Sequence, residues 1–81
     1  MLFTAENLAE LNVLMLFDLS SHLEGLKIHK SAKPEAIAAA QRLFEGGLIT
    51  QADGGYLTSP GRVAAEHAHS LFTMLNAQSW K

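Results

Sequence analysis

Apolar residues recur at helical spacing in three stretches of the chain, and this pattern predicts three main helices. The first begins after Thr4, a residue type that caps helix N-termini, and carries an apolar stripe that includes Leu8 and Met15. The second is expected over Pro34–Glu45, because proline suits the first turn of a helix. The third opens at Ser59 and Pro60 with the same signal, and either Ser59 or Thr58 is its cap. Its apolar stripe consists of Ala64, Ala68, Leu71, Phe72 and Leu75.

The first helix is apolar on more than one side. At 100° per residue, Val13 and Phe17 point roughly opposite Leu8 and Met15. A helix that is apolar on two opposite sides is buried on both. It is therefore either the central helix of the domain or in contact with a second copy of the chain, and the pattern leaves both readings open.

The second helix has a clear end and a predicted orientation. Gly46 and Gly47 supply residues that can adopt the left-handed conformation of a helix C-cap. The predicted apolar face is Ile37, Ala40, Leu43 and Phe44, and the predicted outer face is Glu35, Ala38, Ala39 and Arg42, with Glu45 at the edge.

Short β-like runs at 48–51 and 55–58 flank a turn at Asp53 and Gly54. Asp-Gly is a strong hairpin signal, because both central residues of the tightest turns need positive φ. So short a hairpin is marginal alone. We expect a third strand, for which residues 26–29 are the only candidate. Before them, Ser20 or Ser21 is expected to cap a short helix over residues 22–24 that ends at Gly25.

Composition narrows the class of protein. The 81 residues suffice for one domain, spanning 1–81, of α+β class and mostly helical. The absence of cysteine excludes disulfides and thiolate metal sites. No apolar run approaches the ~20 residues of a membrane span, and the N-terminal residues lack the basic region of a signal peptide. We expect a cytoplasmic protein.

The order of the predicted elements resembles a winged helix-turn-helix domain, with a three-helix core, a β-hairpin wing and a C-terminal helix. Residues 42–62 strengthen the likeness. Leu43 stands ahead of Gly47-Leu48-Ile49, and Tyr56-Leu57-Thr58 ahead of Gly61-Arg62, as in many bacterial winged-helix regulators. Nearly the whole chain also resembles a family of short, uncharacterised bacterial proteins described at most as DNA-binding. The matching segments include 10–12, 27–29, 38–43, 47–50 and 53–58.

This resemblance implies a DNA site around the Pro34–Glu45 helix, which would enter the major groove. Lys27, Lys30 and Lys33 precede this helix and are expected to hold phosphates, and Arg42 is expected to read base edges. The formal net charge of −2 counts against nucleic acid. The alternative function is therefore a winged-helix protein-interaction or dimerisation module that binds no nucleic acid.

The resemblance also implies a homodimer formed through the first and last helices. The predicted interface is Val13, Leu14, Phe17, Met74 and Trp80. The alternative is that the short helix predicted over residues 22–24 and the last helix of the same chain together cover both faces of the first.

The remaining chemistry predicts no catalytic or metal centre. His67 and His69 diverge by about 200° on a helix, and the four histidines have no partner at a recognisable ligand spacing. There is no nucleophile elbow and no phosphate-binding loop. We therefore predict no enzyme activity, metal, cofactor or small-molecule substrate.

Overall fold

The helices and strands follow the predicted order with one omission. The structure is a computed structural model that describes residues 2–21 and 23–77. Within them the elements are α1 (Ala5–Leu14), β1 (Leu26–Lys27), α2 (Pro34–Glu45), β2 (Ile49–Gln51), β3 (Gly54–Leu57) and α3 (Ser59–Leu75). The strands form one antiparallel sheet in the order β1-β3-β2. The described part of the chain is thus an α+β unit of three helices and a three-stranded sheet.

Helix α1 starts at the predicted cap. The Thr4 hydroxyl oxygen accepts from the Asn7 N–H at 3.0 Å, and the Thr4 N–H donates to the Asn7 side chain at 3.2 Å. This reciprocal pair satisfies two donors at the helix start. After Leu14 the backbone tightens, since the Leu16 N–H donates to Val13 and the Phe17 N–H to Leu14. The tighter turn carries the Phe17 side chain into the core.

The Val13 and Phe17 side of α1 is buried within one chain. Val13 is 1% exposed, Leu14 5% and Phe17 4%. The buried core consists of Val13, Leu14, Phe17, Ile28, Ala39, Ala40, Leu43, Ile49, Ala65 and Ala68. On the opposite side Leu8 is 54% exposed and Met15 is partly buried. Burial in the domain therefore accounts for one apolar side of the first helix and only part of the other.

The short helix predicted over residues 22–24 is not formed in the described residues of this segment; His22 lies outside them. The Asp18 carboxylate instead accepts from both the N–H and the hydroxyl of Ser20, at 2.9 and 2.6 Å. The Ser21 hydroxyl accepts from the Leu23 N–H at 3.1 Å. Such local side-chain bonds compete with helical backbone bonds, which explains the failed prediction. The Arg62 side chain donates to the Leu19 carbonyl and holds this loop against α3.

Helix α2 ends as predicted. The Leu48 N–H donates to the Leu43 carbonyl at 2.9 Å, and the Gly47 N–H to the Phe44 carbonyl at 3.0 Å. Gly47 has a φ of 79°. This is a Schellman motif, in which the residue after the glycine turns back over the last helical turn. It directs the chain straight into β2.

The β2–β3 hairpin uses a different turn from the predicted one. The two turn residues are Ala52 and Asp53, and positive φ occurs at Gly54 (128°) and Gly55 (74°) but not at Asp53. The pairing is irregular between Ile49 and Gln51, so the left-handed positions fall inside β3. The prediction of an Asp53-Gly54 turn with two positive φ angles was wrong for this reason. The third strand is confirmed over Leu26–Lys27, which pairs with β3.

The junction between the hairpin and α3 is closely packed. The Thr58 hydroxyl accepts from the Gly61 N–H at 3.1 Å, which caps α3, and donates to the Gly47 carbonyl at 2.6 Å. One side chain therefore fixes the end of α2 relative to the start of α3. A Cβ at Gly61 would collide with the Leu48 carbonyl. Glycine is required there because two backbones approach each other.

Candidate nucleic-acid interface

Helix α2 is rotated relative to its predicted orientation. Ala39, Ala40 and Leu43 are buried, whereas Ile37 is 39% exposed and Phe44 41% exposed. The prediction placed Ala39 outside and the two larger residues inside. It was wrong because α2 packs most extensively against α1, and alanines allow these two helices to approach closely.

The exposed surface of α2 is therefore a ridge of mixed character, here called the α2 ridge. Its residues are Pro34, Ile37, Ala38, Gln41, Phe44 and Glu45, and Glu35 is exposed beside it in the first turn of α2. At its far end the Gln41 amide donates to the Glu45 carboxylate at 3.0 Å. The ridge offers an amide between two apolar side chains.

Arg42 does not belong to the α2 ridge. Its Nε donates to the Glu10 carboxylate at 2.6 Å, and its Nη2 to the Glu6 carbonyl at 3.3 Å. The two side chains of the ion pair are 32% and 22% exposed. The hydrogen bond raises the pKa of Arg42 and lowers that of Glu10, outweighing the partial loss of solvent. Arg42 thus connects α2 to α1, so its geometry does not favour the predicted reading of bases.

The four predicted contact residues fall into separate environments. Lys27 pairs with Asp53 at 3.1 Å, and this contact lowers the pKa of the Asp53 carboxyl. Lys30 and Lys33 are exposed in the turn that precedes α2. Neither Lys30 nor Lys33 takes part in the ion pairs found within the described residues, which are 2–21 and 23–77.

Lys30 and Lys33 therefore remain as a cationic pair at the start of α2. The positive end of the helix dipole lies at the same place and adds to their field. The predicted outer face of α2 did not include Gln41, which is exposed in the structure. The alanines at 36, 39 and 40 were the available signal, because an alanine stripe can mark a closely packed helix face.

The predicted dimer residues are also separated. Val13, Leu14 and Phe17 lie in the core and have no exposed area to offer a second copy. Met74 is 69% exposed. Trp80 lies outside the described residues. The interface as predicted therefore needs correction, since three of its five members are internal.

The rest of the described surface adds little recognisable chemistry. A polar hollow of about 170 Å³ lies between the 17–24 loop and the start of α3, lined by Asp18, Tyr56 and Arg62 among others. Hydrogen bonds from Ser20 lower the pKa of Asp18. Among the described residues no three histidine, aspartate or glutamate side chains converge as metal ligands. None of the described helices is long and apolar enough to cross a bilayer.

Comparison with known proteins gives one result. No curated protein and no solved structure matches the chain. The sequence profile of a family of unknown function, DUF5669, matches residues 1–76, which is nearly the whole chain. The chain therefore belongs to the DUF5669 family.

Proposed function

We propose that this protein is a DNA-binding protein of the winged helix-turn-helix type, in which α2 enters the major groove and the β2–β3 hairpin is the wing. The element order α1-β1-α2-β2-β3-α3 and the sheet order β1-β3-β2 support the proposal. The helix ahead of the recognition helix is reduced to one turn, closed by the Ala32 N–H donating to the His29 carbonyl at 3.0 Å. A role in transcriptional control follows from the same proposal.

The observation that carries the proposal is the position of Lys30 and Lys33. Both are exposed at the N-terminal end of α2 and outside the two ion pairs of the described residues. Recognition helices contact base edges mainly with their N-terminal residues, so phosphate contacts there orient the helix. Helix α2 carries two exposed acids, Glu35 in its first turn beside the lysines and Glu45 at the opposite end. Two lysines face one acid at the start of α2, and this local excess of positive charge favours docking by its first two turns.

In this arrangement Gln41 replaces Arg42 as the base-reading residue. Its amide can bond the N6 and N7 positions of adenine, and the neighbouring Ile37 is suited to contact with a thymine methyl group. Arg42 instead positions α2 against α1 through Glu10. Lys27 assists at the wing, where its pairing with Asp53 offsets the acid at the hairpin tip.

The test is binding of the full chain to a labelled duplex of mixed sequence at ~50 mM salt, followed by fluorescence anisotropy. We expect Lys33→Ala to weaken binding several-fold and the slope of log K against log salt to fall by about 1. The wild-type slope should be about −2 for two lysines on one chain, or about −4 if two chains bind together.

Ser70→Glu is the matched control, because it changes the net charge by the same single unit at an exposed position on α3. It should leave affinity nearly unchanged. Wild-type protein that does not bind at ~50 mM salt would exclude DNA binding. Equal losses in the two variants would mean that only net charge matters and that the Lys30–Lys33 assignment is wrong.

The alternative is a protein-interaction module with the same fold. It is favoured by the exposed Ile37 and Phe44 on the α2 ridge, since large apolar side chains beside a neutral amide suit a protein partner. The formal net charge of −2 points the same way. A wild-type chain that ignores duplex DNA in the anisotropy assay would select this function.

A further inference from the structure

The core-facing stripe of α3 continues beyond the core. Its first half is buried at Gly61, Ala65 and Ala68. In its second half the exposed fraction rises along the helix, from 36% at Leu71 to 53% at Phe72 and 68% at Leu75. The side of α3 that faces inward at one end is therefore uncovered at the other.

The uncovered residues form a groove with α1. Leu8 and Met15 line it from α1, and Leu71, Phe72 and Leu75 line it from α3. Its volume is about 240 Å³, and Asn12 is the one polar residue among those that line it. We call it the α1–α3 groove. It is smaller than a typical small-molecule site and offers too few polar groups to orient a ligand.

We propose that the α1–α3 groove is the contact surface of a symmetric homodimer, in which α1 and α3 of two chains pack as four helices around a twofold axis. Each chain places Phe72 and Leu75 against the groove of the other. The proposal is independent of DNA binding. It moves the interface away from the predicted residues, three of which (Val13, Leu14 and Phe17) lie in the core.

Charge favours a second copy as the occupant. None of the residues that line the α1–α3 groove is charged. Residues 68–77 contain no Asp, Glu, Lys or Arg, so half of an exposed helix lacks the charges of a solvated one. At a twofold axis a patch meets itself, and any charge on it would face a like charge. A neutral face removes that cost, whereas a face built for a different partner has no such constraint.

The area is sufficient for a specific dimer. With roughly 180 Å² per fully exposed large apolar residue, Leu8, Leu71, Phe72 and Leu75 offer on the order of 400 Å² per chain. Two chains would then bury about 800 Å² of apolar surface. Because interface cores are about 65% apolar, the total is about 1,200 Å², the lower end of the range for specific complexes. A dimer of moderate affinity is expected.

The test is the molar mass of the full chain in sedimentation or light scattering at ~100 µM, well above the micromolar dissociation constants of modest interfaces. Wild type should have twice the 8.8 kDa of one chain. Leu75→Glu should be monomeric, since it places a charge at the contact. It should still fold, because Leu75 is 68% exposed in the single chain.

Met74→Glu is the control, because Met74 is equally exposed at 69% but lines a different depression with His69, Ser70 and Thr73. This variant should remain a dimer. Monomeric wild type would overturn the proposal. Dissociation of both variants alike would also overturn it, because the contact would not be specific to the groove.

Discussion

Gly61 is the residue with the least freedom to change. Its N–H is capped by Thr58, and its Cα lies against the backbone of Leu48. Any side chain there would force the start of α3 away from the chain that enters β2. The Tyr-Leu-Thr-x-x-Gly phrase in the sequence is therefore a packing requirement, and its glycine serves a close approach of two backbones.

Gly61→Ala should lower the free energy of unfolding by about 3 kcal/mol, because the added methyl group meets the Leu48 carbonyl and not a movable side chain. Urea denaturation measures the change. Gly46→Ala is the control. Gly46 has a φ of −81°, and its added Cβ would lie 3.4 Å from its nearest neighbour, so that variant should be neutral or slightly stabilised. Equal effects at the two positions would contradict the packing argument.

Arg42 shows that residue type alone can suggest the wrong role for a side chain. An arginine on a predicted recognition helix suggests a contact with guanine. In the folded chain, however, the Arg42 guanidinium donates to the carboxylate of Glu10, which lies 32 positions earlier. This pairing depends on the angle at which α1 and α2 pack against each other, and that angle cannot be predicted from a local sequence pattern. The position of Lys30 and Lys33 was predictable from the sequence, because Lys33 directly precedes the proline that begins α2 and Lys30 lies three residues earlier.

At the scale of elements, the helix ends were the most predictable feature, because residue types that cap or terminate helices act directly on the backbone. Thr4, Pro34, Gly47 and Thr58 mark helix ends where the sequence indicates them, because caps act within four residues of the chain. The orientation of α2 was not predictable in the same way. Hydrophobicity ranks Ile37 and Phe44 above alanine, but the closeness of α1 and α2 leaves room only for alanine.

The helix predicted over residues 22–24 failed for a local reason. Serine and aspartate are favourable at a helix start and equally favourable in a turn that needs no helix. The Asp18 carboxylate bonds the Ser20 backbone two residues on, which is the turn arrangement. Composition alone could not separate these outcomes. The Arg62 contact with the Leu19 carbonyl, from a distant helix, then holds the loop in place.

The Glu10–Arg42 pair makes the attachment of α2 to α1 dependent on pH. The pKa of Glu10 is lowered in the folded chain from its ordinary value of 4.5, chiefly by the bond from Arg42. A carboxyl with a depressed folded pKa stabilises the fold above its unfolded pKa. This contribution is lost as the pH falls through the folded value. The loss should therefore occur below about pH 4.5.

Glu10→Gln should lower the Tm by a few degrees at pH 7, because the amide cannot form the ion pair. The difference from wild type should shrink as the pH is lowered from 4.5 towards about 3, because Glu10 becomes protonated first in the unfolded and then in the folded wild type. Thermal melts followed by circular dichroism measure this. Glu66→Gln, at an exposed position on α3, should show no comparable effect. A deficit for Glu10→Gln that is the same at both pH values would contradict the role of the pair.

At the scale of the whole molecule, the two proposed surfaces lie on different elements. The α2 ridge and its lysines belong to the second helix, while the α1–α3 groove is built from the first and third. Two chains joined through the groove would each keep α2 uncovered. If α2 binds DNA as proposed, a homodimer would present two such helices, as expected for DNA sites with twofold symmetry.

Dimerisation should make thermal stability depend on concentration. Because association is coupled to folding by mass action, a tenfold rise in protein concentration above the dissociation constant should raise the Tm of the wild type by roughly 2–5 °C. Differential scanning calorimetry across such a series measures the shift. Leu75→Glu should melt at the same temperature throughout. A wild-type Tm that does not change with concentration would contradict the dimer.

The sheet order has a consequence for how the protein behaves when crowded. β1 and β2 are the two edges of the sheet, and unpaired edge strands are templates for cross-chain β-pairing and aggregation. Here β1 has only two residues, one of them Lys27, and the pairing of β2 with β3 is irregular. Short, charged and distorted edges resist such growth. Concentrated protein should therefore associate through its helices and remain free of amyloid-like fibres.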